Sequence, residues 1–455
     1  MILPAKQKGK ASFQHAESIL TLGFLALILL GTVLLALPIA AKSGQSIGLF
    51  DSLFTSTSAV CVTGLVVVDT GTTFSLFGQI VLIVLIQVGG LGFMVFATML
   101  MVMLGRRISI RGRMLIRESM NASSLSDLGS LTMLYLLLSL TIELVGAVTL
   151  CFRFVPLYGW KHGTWMALFH SVSAFCNAGF DLFGNYASLT AFSGDPLVLL
   201  TVASLIILGG LGFSVILETA RNRQGFRNLS LHTRIVLMTT LVLLLAGTVF
   251  YWIVERTNAE TLAGCSEGEK ILNAFFQSVT MRTAGFNSFD LSGFRDGSKL
   301  FSSLLMIIGA SPASTGGGIK TTTIATLTLL MLSVVRGESE VNVARRRLSD
   351  DISRRALTVS VLFLTTLLTG TLIISLIENG RFPLEDILFE ASSAMGTVGV
   401  SAIGTPNLSS ASRAVLLPMM FLGRVGPLTL AVAVAKRQGG IRTASKYPEE
   451  KIIIG

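Results

Sequence analysis

The sequence predicts an all-α polytopic membrane protein assembled from four repeated units, and three observations carry that prediction. The composition suits lipid: of 455 residues, 51% are hydrophobic and only 13% are Asp, Glu, Lys or Arg. The mean hydropathy is +0.73, far above that of an ordinary soluble domain. The second observation is a set of eight apolar runs of spanning length. The third is one glycine register that recurs four times.

Runs long enough to cross ~30 Å of hydrocarbon lie near 18–41, 76–104, 131–155, 196–220, 231–254, 299–335, 356–377 and 414–435. The first, from Ile19 to Ala41, is too long for the apolar region of a signal peptide and lacks an A-x-A-type cleavage site, so it is expected to remain as a span. Basic residues cluster in alternate connections: Lys6, Lys8 and Lys10; Arg106, Arg107, Arg111, Arg113 and Arg117; Arg221, Arg223, Arg227 and Arg234; Arg336, Arg345, Arg346, Arg347, Arg354 and Arg355; Lys436, Arg437 and Arg442. By the positive-inside rule these segments and both termini face the cytoplasm. The net charge of +10 is therefore mostly a topology signal. The Arg345 to Arg347 run reads as a solvated loop near anionic lipid, not as a nucleic-acid contact. Cys61, Cys151, Cys176, Cys265 and the four histidines show no metal-ligand or redox spacing, so neither a disulfide nor a metal site is expected.

The remaining connections, 42–75, 156–195, 255–298 and 378–413, must then face outside, and each carries an apolar stretch too short to cross: LFTSTSAVCVTGL, LFHSVSAFCNAGF, AFFQSVTMRTAGF and LFEASSAMGTVGV. Such stretches suit elements that dip into the bilayer and return. Gly64, Gly179, Gly285 and Gly399 each stand ten residues after a phenylalanine, namely Phe54, Phe169, Phe275 and Phe389. The span that follows carries a second mark: VGGLGF at 88–93, LGGLGF at 208–213, IGASPA at 308–313 and LGRVGP at 422–427. The unit of span, short helix, glycine-ending loop and span thus repeats about every 110 residues. Glycines of the second mark read first as close helix packing, with pore lining as the other reading. The four loop glycines lie outside the spans, where packing alone does not require them.

Non-helical backbone at membrane depth must be buried in protein or line water, because unpaired carbonyls are costly in lipid. Four such loops on one axis would offer rings of carbonyl oxygens that replace the hydration shell of a monovalent cation, with the C-terminal ends of four short helices aimed at the same axis. The loop glycines bring no ring of carboxylates, which argues against a divalent cation. An alternating-access carrier for another small solute usually shows two halves instead of four equivalent units. A membrane enzyme would need paired carboxylates or a nucleophile and base in register, and none stands out.

One stretch interrupts the sixth apolar run. Between LFSSLLMIIG and IATLTLLMLSVV lies ASPASTGGGIKTTT, Ala310 to Thr323, where Pro312 removes a backbone donor. Each glycine there costs about 1 kcal/mol against Ala in a helix, so an irregular backbone is expected. The glycine run is no phosphate-binding loop, because Ile319 separates Gly318 from Lys320 and G-x-x-x-x-G-K-[ST] is not met.

The fourfold unit with one glycine per loop, together with SPASTGGGIKTTT in the third repeat, resembles the Trk/Ktr/HKT superfamily of potassium transporters over nearly the whole chain. The lack of two extra spans before the first repeat and the ending YPEEKIIIG resemble its KtrB branch. The resemblance implies a fold of four repeats, each of span, pore helix, re-entrant loop and span, eight spans in all around one pseudo-fourfold pore. The repeats would occupy 18–105, 128–222, 230–336 and 354–436, with 1–17 as a cytoplasmic N-terminus and 437–455 as a tail at a dimer interface. It implies a channel-like potassium filter lined by Val62, Thr63 and Gly64, by Asn177, Ala178 and Gly179, by Thr283, Ala284 and Gly285, and by Thr397, Val398 and Gly399. Sodium-selective relatives carry serine at the first loop glycine, so Gly64 favours potassium, while a single glycine per loop implies looser selectivity than a TVGYG filter. The implied gate is the broken inner helix of the third repeat: Gly309, Ala310, Ser311, Pro312, Ala313, Ser314, Thr315, Gly316, Gly317 and Gly318. Lys320 would snorkel or cap there, and Arg424 would stand as a cationic barrier, unless it pairs with Glu143 or Glu218. Arg282 would brace the filter from behind. Further implications are a homodimer, a KtrA-type nucleotide-binding ring protein on the cytoplasmic face, contact with membrane lipid, a bacterial cytoplasmic membrane location, no cofactor on this chain, and potassium as the substrate. Sodium coupling or permeation, or a different small solute, is the alternative.

Overall fold

The computed structural model describes residues 7–92, 128–222, 225–338, 340–343 and 346–426. Apolar chain at membrane depth must pair its own backbone, and the described residues are accordingly helical. The first unit holds α1 (Gln7–Ala36), α2 (Leu49–Val60) and α3 (Leu76–Leu91). The second holds α4 (Leu128–Tyr158), α5 (Trp160–Phe175), α6 (Pro196–Leu211) and α7 (Phe213–Arg221). The third holds α8 (Leu231–Glu255), α9 (Glu267–Thr280), α10 (Asp296–Ile307) and α11 (Thr321–Val335). The fourth holds α12 (Asp350–Glu378), α13 (Leu384–Gly396) and α14 (Ser410–Val425). Each unit is therefore an outer helix, a short helix and an inner helix. One small departure from all-α structure is a hairpin of Asn342–Val343 with Arg346–Arg347 in the basic connection.

Ser130–Tyr158, Leu231–Glu255 and Asp350–Glu378 are unbroken and apolar enough to span, and Pro196–Leu211 with Phe213–Arg221 forms a fourth candidate bent by 99°. The apolar run over 196–220 is thus a bent pair of helices, a feature that run length alone does not show. A break was expected in the third inner helix alone, yet α3, α6 and α14 all end at a glycine of the second mark: Gly92, Gly212 and Gly426, with φ of +87°, +94° and +92°. Such angles end a helix and come without strain only to glycine. The later parts of the runs 76–104 and 414–435 lie outside the described residues.

Helix starts are fixed by the residues that satisfy the orphan N–H groups. Ser75, Ser230 and Ser409 each accept from the backbone of their first turn, and Asp195 accepts from Leu197 and Val198 ahead of Pro196. Ser266 and Glu269 form a reciprocal capping box on α9. Hydrogen bonds from the Ser266 backbone and hydroxyl hold the Glu269 carboxyl below its ordinary range, so this cap is formed at neutral pH and is lost as pH falls through that lowered value.

Short helices sit against their outer helices at matched glycines. A Cβ on Gly31, Gly146 or Gly247 would lie 2.3, 2.6 or 2.3 Å from the hydroxyl of Ser56, Ser171 or Ser278. Those hydroxyls donate to the outer-helix carbonyls of Ile28, Glu143 and Leu244 at 2.7, 2.6 and 2.8 Å. The fourth unit has Ala391 at this position and lacks the bond.

Polar clasps join each inner helix, or the turn just before it, to the next unit's short helix. Trp165 Nε1 donates to Gln79 Oε1 at 2.7 Å, and Asn273 Nδ2 donates to Ser193 O at 2.9 Å. Lys299 pairs with Asp386 at 2.6 Å, and Arg413 pairs with Asp51 at 3.6 Å, which closes the circle from the fourth unit to the first. The Lys299–Asp386 side chains are only 10% and 14% exposed. Lys299→Met should therefore destabilise the protein by about 3 kcal/mol, because it strands a buried carboxylate, while Lys299→Met with Asp386→Leu should recover most of the loss. Denaturant unfolding in detergent across this double-mutant cycle checks it, and additive losses would mean that the two charges do not act as a pair.

Candidate functional site

The four loops leave their short helices through hydrogen-bonded turns. In the first, second and fourth units the residue before the glycine donates five residues back: Thr63 N to Ser58 O, Ala178 N to Ser173 O and Val398 N to Ser393 O, each at 2.8 Å. In the third, Ala284 N reaches only four back, to Thr280 O at 3.0 Å. The third turn is one residue shorter. Its matching phenylalanine is therefore Phe276 and not Phe275: Phe54, Phe169, Phe276 and Phe389 are all fully buried, whereas Phe275 is partly buried. The ten-residue spacing misled because it counted back across the shortened turn, in a sequence with two adjacent phenylalanines.

One hydroxyl position locks each turn. Ser58 Oγ and Ser393 Oγ accept from the N–H of Gly64 and Gly399, both at 3.0 Å. Ser173 Oγ and Thr280 Oγ1 instead donate to the carbonyls of Phe180 and Phe286, at 2.8 and 2.6 Å. The sequence showed these residues only as small or hydroxyl filler between phenylalanine and glycine. They support strained backbone: Val62, Asn177, Thr283 and Thr397, two residues before each glycine, have φ of 54°, 57°, 71° and 53°. Left-handed non-glycine residues cost ~1–3 kcal/mol each and persist only where their surroundings impose them.

The glycines close a ring. A Cβ on Gly64 would lie 2.4 Å from Ala178 O, on Gly179 2.8 Å from Ala284 O, on Gly285 2.3 Å from Val398 O and on Gly399 2.1 Å from Thr63 O. Each loop thus presents a carbonyl to the glycine of the preceding unit, and the series returns to its start. All twelve residues expected at the filter come together here, and the eight that are not glycine are fully buried.

A cavity of about 620 Å³ opens on the outer side of the ring, lined by the four glycines with Asn185, Ser188, Ser401, Thr405 and the carboxyls of Asp181 and Asp290. Its lining carries no basic side chain, so its field favours cations. Burial pushes the Asp181 carboxyl up to about 7, opposed by the Phe183 N–H and reinforced by the Asp69 charge. Asp181 lies in the outer connection after α5.

Directly across the ring from this cavity runs the irregular segment between α10 and α11. A Cβ on Gly316 would lie 2.2 Å from Thr283 Oγ1, and one on Gly317 2.3 Å from Thr397 Oγ1. The backbone is irregular, as expected, yet much of it is paired. Gly309 N donates to Ile319 O and Ala310 N to Gly317 O, at 2.9 and 3.3 Å. Ser311 N and Thr315 N reach Gly210 O and Gly209 O, at 3.0 and 3.2 Å, and Phe213 N reaches Ala313 O at 3.1 Å. The reason is the bend at Gly212, which frees carbonyls of α6 for the segment to take. Ser314 Oγ donates to Ser311 O at 2.6 Å, and Pro312 O lies against Gly212.

Two cations hold this segment. Lys320 stands at the N-cap position of α11 without a side-chain bond to that helix; its Nζ donates to Gly316 O at 2.7 Å, a tether across the end of the segment around Gly318. Arg424 donates to the carbonyls of Thr315 and Gly89, and to Gly90 O at 2.9 Å. Neither acid considered as its partner reaches it. Glu143 accepts from Gln87 Nε2 at 2.9 and 3.2 Å, and Glu218, beyond the Gly212 bend, binds Ser230 and Thr233. Arg424 thus joins the first, third and fourth units. Gly89, Gly209 and Gly423 support the packing reading of the second mark, since a Cβ on them would lie 2.1, 1.9 and 2.1 Å from the carbonyls of Val60, Phe175 and Met395.

The corrected register makes a direct test. Phe276→Ala should destabilise the protein by about 3–5 kcal/mol, as for a buried aromatic, and Phe275→Ala by clearly less. Unfolding midpoints in detergent compare the two, and equal losses would restore the ten-residue register.

A family model for TrkH, described as a cation transport protein, matches residues 3–441. The chain is 41% identical over 438 residues to the Ktr system potassium uptake protein B of Bacillus subtilis (strain 168), covering 96% of each. It is 42% identical over 454 residues to the protein of the same name from Vibrio alginolyticus, covering 100% of this chain and 98% of that one. The crystal structure of the potassium transporter TrkH from Vibrio parahaemolyticus shares the fold, with a TM-score of 0.68 at 18% identity over 90% of this chain and 84% of that one. The match runs through all four units and the segment between α10 and α11, and the chain therefore belongs to the TrkH family of cation transport proteins.

Proposed function

We propose that this protein takes up potassium across the cytoplasmic membrane of a bacterium through an axial pore whose filter is the carbonyl ring. The observation that carries the reading is the closed series Gly64–Ala178, Gly179–Ala284, Gly285–Val398 and Gly399–Thr63 beneath a vestibule with carboxylates and no basic residue. Backbone carbonyls held by strained turns can replace the hydration shell of a monovalent cation without a side-chain charge. Relatives named for potassium uptake, at 41% and 42% identity over nearly the whole chain, support the choice of ion.

In this reading Gly309 to Gly318 is the gate, held shut from below by Arg424 and Lys320. The naming of the relatives as parts of a Ktr system supports a regulatory partner, and we assign that role to a KtrA-type nucleotide-binding ring protein on the cytoplasmic face of a homodimer. The repeats keep the bounds 18–105, 128–222, 230–336 and 354–436, with the tail at the dimer interface and both termini cytoplasmic.

Rubidium uptake into potassium-loaded liposomes tests the filter. Outside potassium should block uptake and sodium should not, and Gly399→Ala should lower uptake at least ~10-fold, since its Cβ meets the next carbonyl. Uptake equally blocked by sodium would remove the potassium assignment. Deleting part of Gly309 to Gly318, or replacing Arg424 with Gln, should raise resting uptake; unchanged uptake in both would leave the gate elsewhere. The vestibule makes a pH prediction. Because the Asp181 carboxyl is raised to about 7, its charge is lost as outside pH falls through that value. Subsaturating uptake should then drop about twofold, and Asp181→Asn should abolish the drop; an unchanged pH profile in that variant would acquit Asp181.

A further inference from the structure

Arg282 stands in the shortened turn of the third unit, one residue before Thr283 of the ring, and is 7% exposed. A brace needs a partner, yet its Nε has no hydrogen-bond partner and no described carboxylate pairs with it. Arg282 lines a small cavity between the second and third units, with Gly210 of α6, Ala310 of the irregular segment and aliphatic side chains. The other polar side chain of the lining is Thr240 of α8, 6% exposed, whose hydroxyl is also without a partner. Several threonines on the helices of this protein bond their own backbone instead. Thr32, Thr248, Thr326 and Thr371 all donate to the carbonyl four residues back, at 2.7 to 2.9 Å. Thr240 does not, so its hydroxyl is free to donate into the cavity.

We propose that this cavity binds one halide-sized inorganic anion, chloride in ordinary media, between Arg282 Nε and Thr240 Oγ1. Three arguments converge. Size comes first: about 10 Å³ is open to the centre of a water-sized particle, roughly room for one, which excludes phosphate, sulfate and carboxylates. Donor chemistry is the second: a guanidinium and a hydroxyl face the cavity and no carboxylate does, a set suited to an anion. Charge is the third. An isolated guanidinium at membrane depth is costly, and the nearby C-terminus of α9 offers only about half a negative charge. A water molecule accepts a hydrogen bond but leaves that charge standing, whereas a monovalent anion meets both needs.

Crystals grown with bromide in place of chloride test the site without any reference to transport. An anomalous bromide peak beside Arg282 and Thr240 is expected, and it should be lost in Arg282→Gln. Absence of a peak in the unsubstituted protein, or a peak that persists in Arg282→Gln, would overturn the proposal and leave a water site. Solution gives a second reading. Replacing chloride with gluconate should lower the melting temperature of the unsubstituted protein by several degrees, and Arg282→Gln and Thr240→Val should be indifferent to the exchange. Equal melting temperatures for the unsubstituted protein in the two salts would also overturn it.

Discussion

No side chain fits between a loop glycine of one unit and the carbonyl of the next, and the rest of the molecule is arranged around that constraint. Four contacts of 2.1 to 2.8 Å from a notional Cβ fix how closely the loops approach. To bring them so close, the chain accepts four left-handed residues, two of them β-branched threonines and one a valine. The strain is tolerated because a hydroxyl behind each turn ties it to its own short helix. That helix in turn is fixed at one side by its outer helix and at the other by a clasp to the preceding unit.

The second constraint lies beneath the ring. Glycines at positive φ end three of the inner helices at matching positions of the second mark. Ending a helix frees its last carbonyls, and the structure uses them. Gly209 and Gly210 serve the irregular segment of the third unit, while Gly89 and Gly90 receive Arg424. The unwound segment and the arginine are therefore two solutions to one problem of backbone satisfaction at membrane depth.

The architecture was largely legible in the sequence. Apolar run length gave the outer helices, and the loop glycines marked the residues that form the ring. What escaped notice has a physical pattern. Register errors arose where spacing was counted across a turn, as at Phe275 and Phe276, because turn length leaves no trace in hydropathy. Breaks at Gly92, Gly212 and Gly426 were missed because an isolated glycine in an apolar run reads equally as close packing, and neighbouring Gly89, Gly209 and Gly423 are in fact packing glycines. The partners of Arg424 were sought among carboxylates, since sequence displays side-chain charges and hides unpaired carbonyls.

The shortened turn of the third unit also breaks the equivalence of the four quadrants. It does so at Thr283, the residue pressed against Gly316 of the segment below. The segment presses on the ring itself at Thr283 and, through Gly317, at Thr397, while its bonds to the second unit go to Gly209, Gly210 and Phe175, behind the ring. Segment and ring thus touch off-centre, through the third and fourth units, so a displacement below would skew the ring instead of widening it evenly.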